Sequence, residues 1–196
     1  MKASNKAYKT SDYLEWDTAT NLVRKLYKDH DYRMSLLIGC GIMFGLRISD
    51  IKQLTWSMLL DDDRFTINET KTGKRRTVKI NPDFQRHIDK CHTALAIKDN
   101  NQSCFLSQKG MVYSTQRINV LFKDIKNRYN LKIDHISTHT MRKTFGRHVF
   151  ESAGENSQLA LVKLSELFNH SNVAITKVYL GLRQEELLET YDLLDF

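Results

Sequence analysis

Residues 139–179 read HTMRKTFGRHVFESAGENSQLALVKLSELFNHSNVAITKVY, and this stretch decides the fold. Ser137 or Thr138 caps a helix that begins near His139. Met141, Phe145 and Val149 recur every fourth residue, so one face of that helix points to a core. His139 and Arg142, three apart, occupy neighbouring positions on one face. Gly146 offers bare backbone, open to close approach by a ligand or by another helix. A second helix runs from about Ser157 to Phe168, with Leu161, Leu164 and Leu167/Phe168 on its apolar side. Asn169 and His170 end it, and Asn172 caps a third, short helix that carries Tyr179. A tight joint between two helix ends aims His170 and Tyr179 at one point. Each residue alone has a plainer reading. A His at a helix end complements the dipole, and a Tyr between Val178 and Leu180 suits a core edge. The set is informative through its order and spacing.

Upstream, Asp17 caps a first helix with Leu22, Val23 and Leu26 on its buried side. A second helix, Tyr32 to Phe44, is nearly all apolar and belongs deep in the core. Gly45 ends it, within the string Gly45-Leu46-Arg47-Ile48-Ser49-Asp50, and Ser49 or Arg47 opens a short helix through Leu54. An arginine at that junction needs an anion, either a carboxylate such as Asp50 or a phosphate gripped by two hydrogen bonds. Arg64–Glu69 and Arg76–Ile80 alternate as two strands around a basic tip, Thr70-Lys71-Thr72-Gly73-Lys74-Arg75. The tip is either a solvated turn or a finger that puts a lysine into a groove. Pro82 or Asp83 then opens a helix to about Ala94. Cys104–Ser107 and Met111–Tyr113 form a small strand or an irregular piece. Ser114 or Thr115 caps a helix to about Tyr129 whose outward face carries Arg117, Lys123, Lys126 and Arg128, suited to solvent or to a DNA backbone.

The chain has 196 residues, enough for one full core. Its 30 Lys and Arg against 23 Asp and Glu give a net charge of +7. Five acidic residues and no basic one follow Arg183, so residues 1–183 carry 30 basic against 18 acidic groups. A basic body suits a polyanion such as double-stranded DNA. Cys40, Cys91 and Cys104 are odd in number and lack C-x-x-C spacing, which argues against a disulfide framework and a zinc site. His135 and His139 lie four apart, but Ser137 and Thr138 break helix between them and no carboxylate cluster accompanies them, so no metal is expected. No signal peptide or membrane-length apolar run is visible, and the expected location is cytoplasmic, with the nucleoid. The organisation expected is a flexible segment over 1–10, a catalytic domain over 11–183, and an acidic amphipathic tail over 184–196.

Arg47, Lys71, His139, Arg142, His170 and Tyr179, in that order, resemble the catalytic domain of the tyrosine recombinases, the phage integrase family. Gly-Leu-Arg-Ile-Ser-Asp looks like the family's first arginine box and Thr-Lys-Thr-Gly-Lys like its lysine turn. His-Thr-Met-Arg-Lys-Thr-Phe looks like its H-x-x-R box, and Phe-Asn-His with a Tyr nine residues on like its last box. Where the family usually has Gly before the last His, this chain has Asn169, which tolerates a left-handed turn. The family normally adds an N-terminal helical domain that closes a DNA clamp. Only a short stretch precedes the first matching helix here, so a fragment and a half-clamp enzyme are the two readings. The fold implied is mainly α with a small β-hairpin, an α+β catalytic domain.

The resemblance implies site-specific cleavage and rejoining of DNA through a 3′-phosphotyrosine on Tyr179, with no metal, ATP or other cofactor. Arg47, Arg142 and His170 then face the nonbridging oxygens. His139 takes the phenol proton. Lys71, favoured over Lys74 by its place in the motif, protonates the departing 5′ oxygen. Lys74, Arg75, Arg76 and Lys143 are expected to contact DNA. The tail is expected to mediate self-association into a tetrameric synapse, or else to dock on its own core. A non-cleaving DNA-binding module and a strand-relaxing type IB topoisomerase are the alternatives.

Overall fold

Thirteen residues almost free of charge, Tyr32–Phe44, form α2, and the other elements pack around it because its sides bury almost completely. The structure is a computed structural model that describes residues 12–182 and Tyr191. The expectations for segments 1–10 and 184–196 therefore lie outside the described residues, except that Tyr191 is exposed.

Helix α1 (Trp16–Lys28) lays Ala19, Leu22, Val23 and Leu26 on α2. Asp17 does not cap it. Glu15 holds the cap position without a side-chain bond, and Asp17 sits inside the first turn, where a carboxylate favours the helix dipole. Gly45 takes the left-handed conformation (φ 56°) that stops α2. Helix α3 (Ile48–Ile51) follows with Arg47 at the cap position and no side-chain cap bond, since a guanidinium has no acceptor to offer the first-turn amides. Helix α4 (Trp56–Leu60), absent from the sequence reading, is capped by Thr55, whose hydroxyl accepts from the Met58 amide.

Strands β1 (Arg64–Asn68) and β2 (Arg75–Lys79) pair antiparallel, Arg64 opposite Lys79 and Asn68 opposite Arg75. β1 ends one residue before its expected bound and β2 lies one residue earlier at both ends, as strand ends commonly do. Phe65, Ile67 and Val78 turn inward. Pro82 opens α5 (Pro82–Ala94), as expected, in the first helical turn where its missing N–H costs nothing, and Asn81 caps it. The segment before α6 (Thr115–Arg128) makes isolated bridges only, Thr55 to Ser103 and Leu106 to Val112. Ser114 caps α6.

Helix α7 (Thr138–Ser152) opens with Ser137 and Thr140 in a reciprocal capping box. Its residues then serve two cores. Met141 belongs to the large cluster around α2. Phe145 and Val149 pack on a small one made by Leu161, Leu164, Phe168, Leu180 and Leu182. A 3-10 turn leads into α8 (Ser157–Phe168), which ends at Asn169 in the left-handed conformation (φ 51°), as Asn allows. Asn172 caps α9 (Val173–Leu180) by accepting from the Ile175 amide. Gly146 is where α7 meets the other two: a Cβ there would lie 2.6 Å from Leu180 and 3.1 Å from Phe168. Helix packing, not ligand access, accounts for that glycine.

Candidate active site

The last turn of a helix leaves carbonyls without partners inside the helix. At the end of α8 one of them, that of Phe168, is taken by two arginines. Arg47 donates to it through Nη2 at 2.8 Å and Arg142 through Nη2 at 3.1 Å. The two guanidinium groups, distant in sequence, meet at a single oxygen. Arg142 also donates to the Gly45 carbonyl and lies 4.2 Å from the centre of the Phe168 ring. A guanidinium has five N–H donors, and these bonds leave several on each arginine for another acceptor. Burial lowers the Arg142 pKa to about 10; the Tyr179 side chain works against that, and Arg47 adds to it. The group remains a cation at neutral pH.

Tyr179, on α9, stands beside them. Its ring centroid lies 5.4 Å from that of His170, 5.6 Å from Phe168 and 6.4 Å from His139. The hydroxyl is buried and makes no well-formed hydrogen bond. Burial pushes its pKa up to about 12, while Arg142 and Arg47 pull the other way. The arginines thus favour phenolate, but desolvation outweighs them, and the phenol stays protonated at neutral pH. His139 stands in the first turn of α7. Desolvation first, then the charges of Arg142, Lys143, Arg47 and Lys71, lower its pKa and keep it neutral near pH 7. His170 is lowered by burial and then by Arg142, Arg47 and Lys71. Its Nδ1 is fixed 2.9 Å from the buried Thr176 hydroxyl, which leaves Nε2 for other work.

Lys71 lies exposed on the hairpin turn with no hydrogen bond or ion pair among the described residues, yet its charge reaches both histidines. Lys74 is committed: its Nζ donates to Asn169 Oδ1 at 3.0 Å. Arg75 is exposed at the start of β2. Arg76 turns inward and donates to the carbonyls of Leu167 and Phe44, both at 3.0 Å. Lys143 is buried, its Nζ 5.3 Å from the centre of the Tyr179 ring. Of the four residues expected to meet DNA, Arg75 alone is both exposed and without a polar partner in the described set. On α6, Lys126 donates to the Asp134 carbonyl and Arg128 pairs with Asp31 at 3.7 Å.

The carboxylate that answers Arg47 is Glu69, at 2.9 Å, rather than Asp50. Asp50 accepts instead from the Thr70 amide and Ser49. Burial opposes the charge on Glu69, but Thr72, Arg47 and Arg76 together hold its carboxyl below the ordinary value. The sequence carried a signal for it. Phe65, Ile67 and Glu69 share the inward side of a period-two strand, which puts a carboxylate on a buried face.

With this geometry in view, the chain can be set beside known proteins. The sequence model of the phage integrase family matches residues 13–186. The chain belongs to that family. It is similar to the tyrosine recombinase XerC of Xanthomonas campestris pv. campestris, with 27% identity over 156 residues, covering 76% of this chain and 44% of XerC. It is similar also to the probable integrase/recombinase YoeC of Bacillus subtilis, with 27% identity over 167 residues, 77% of this chain and 78% of YoeC. Among solved structures it shares its fold with the XerA recombinase (TM-score 0.72, 20% identity, 96% of this chain and 67% of that one). A post-cleavage complex of the XerH recombinase with its difH substrate shares it too (TM-score 0.68, 18% identity, 97% and 55%). The chain spans about half the length of the Xer relatives it matches.

Proposed function

We propose that this chain carries the catalytic domain of a site-specific DNA recombinase that cuts and rejoins strands through a covalent 3′-phosphotyrosine. The observation that carries the reading is the meeting of Arg47 and Arg142 at the Phe168 carbonyl, with Tyr179, His139 and His170 around them. Attack on a phosphodiester concentrates negative charge on its nonbridging oxygens. Two fixed cations with donors to spare suit that charge, and His170 adds a further donor. His139 takes the Tyr179 proton as the phenol oxygen bonds to phosphorus and the 5′ oxygen departs. Lys71 gives that oxygen a proton; its freedom, against the tethered Lys74, supports the choice. The phosphotyrosine keeps the bond energy, and a 5′ hydroxyl from a partner strand reverses the step, so the reaction needs neither metal nor ATP.

The substrate is double-stranded DNA, and the working form is an assembly on DNA to which the tail contributes, in the cytoplasm with the nucleoid. Solved relatives include XerH bound to difH and a lambda integrase dimer bound to a core site. A nicked suicide substrate tests the chemistry. Wild type traps a covalent protein–DNA adduct, while Tyr179→Phe binds the same DNA and yields none. An adduct formed by the mutant removes Tyr179 as the nucleophile. Supercoil relaxation without recombinant products assigns the topoisomerase reaction instead.

A further inference from the structure

Glu69 has no step in the chemistry above, yet it touches the surroundings of three motifs at once. Its backbone closes the turn that carries Lys71: the Glu69 amide donates to the Lys74 carbonyl at 2.9 Å, and the Glu69 carbonyl accepts from the Gly73 amide at 2.8 Å. Its Oε2 accepts from Thr72 Oγ1 within that turn at 2.8 Å, from Arg47 Nη1 at 2.9 Å, and from Asn169 Nδ2, beside His170, at 2.7 Å. Its Oε1 faces Arg76 Nη1 at 3.6 Å. The Asn169 amide is held from both ends, by Glu69 on its nitrogen and by Lys74 on its oxygen.

The turn's two ends have other tethers, Thr70 to Asp50 and Gln53 and Lys74 to Asn169, but among the described residues the middle, Lys71 to Gly73, is tied to the domain only through Glu69. Residues 70–75 are all exposed, and Lys71, Lys74 and Arg75 repel one another. With no apolar side chain to bury, such a segment opens at small cost. The Glu69 carboxylate is 1% exposed and anchored on the arginine that belongs to the phosphate site. We propose that Glu69 is a positioning residue, whose carboxylate registers the Lys71 turn against Arg47 and the His170 turn so that the leaving-group acid arrives where the arginines hold the phosphate. The proposal rests on the recombinase reading and adds to it the residue that aligns the acid. The chemistry of the position demands an acid side chain. Arg47, Arg76 and the Asn169 amide nitrogen are donors only, so a group that only accepts satisfies them all. Glutamine turns an N–H₂ toward that ring of donors.

Two suicide substrates test it, one with the ordinary 5′ oxygen at the scissile bond and one with sulfur there. A thiolate leaves without protonation because thiols ionise near pH 8.5, far more readily than alcohols. On the oxygen substrate Glu69→Gln forms adduct about 10–100-fold more slowly than wild type. The sulfur substrate restores most of that loss. Thr72→Val keeps the carboxylate and its pair with Arg47, loses one tether from an exposed position, and shows the same sulfur-sensitive slowing at smaller size. Arg142→Lys, slow on both substrates, marks the behaviour of a residue that acts on the phosphate. Equal slowing of Glu69→Gln on the two substrates overturns the proposal, as does wild-type cleavage of the oxygen substrate by either variant. If wild type itself forms no adduct, the recombinase reading falls, and this inference with it. If wild type reacts and the sulfur rescue fails, the inference falls alone.

Discussion

Around α2 the buried apolar side chains form a cluster that runs from Leu14 to Met141, drawn from α1 through α7. On the other side of α7, five buried residues close the contact with α8 and α9. There, Leu159, Val162, Leu167, Ile175 and Val178 remain exposed. The arginines stand at the seam between the two regions, while Tyr179 belongs wholly to the smaller. Local opening costs least where few apolar contacts are lost. Arg47 and Arg142 therefore share the stability of the whole domain, whereas Tyr179 rides on an element that can loosen by itself.

Four experiments press on that contrast. In the large cluster, Leu37 is 1% exposed. Leu37→Ala lowers global stability by about 2–5 kcal/mol, read as a shift of the denaturant midpoint; a shift confined to α8 and α9 breaks the division. At the seam, Arg142→Lys lowers the rate of adduct formation about 10²–10³-fold while DNA is still bound. An ammonium cannot reach the Gly45 and Phe168 carbonyls and still grip a phosphate with two parallel bonds. Retention of the wild-type rate would show that the shared carbonyl does not set the site. In the small region, Asn172→Ala removes the cap of α9 at a cost of about 1 kcal/mol. Hydrogen exchange should accelerate at the amides of α9 and not at those of α2, and acceleration in both would merge the two regions into one cooperative unit. The smallest effect is in pH. His139 is shifted below its ordinary value of 6.5, and in the proposed reaction its neutral form is the base. The acid-side midpoint of single-turnover cleavage therefore falls below pH 6.5; half-loss at 6.5 or above contradicts that environment.

Much of this arrangement could be read from residue order. The apolar run of α2, the caps Ser114, Ser137 and Asn172, and the left-handed Asn169 are local signals, and local signals survive in a sequence. The spacing of His139, Arg142, His170 and Tyr179 is legible because it is tied to α7, α9 and the turn between α8 and α9. Helix α4 was missed because Trp56–Leu60 is too short to display a period. Glu69 was missed because its partners, Arg47 and Asn169, lie far away in the chain. The net rise in the Tyr179 pKa was missed because it depends on how deeply α9 settles, which is a property of packing.

The Phe168 carbonyl has one more consequence. Every amino acid supplies a backbone oxygen, so the acceptor shared by Arg47 and Arg142 survives any point mutation at position 168 that leaves the helix standing. What it cannot survive is a change of count. One residue inserted into or deleted from α8 turns the terminal carbonyl by about 100° around the helix axis. Substitutions on the exposed side of α8, such as Leu159 and Val162, therefore leave that oxygen in place, while a single insertion or deletion between the Gly154 turn and Asn169 carries it away from both arginines.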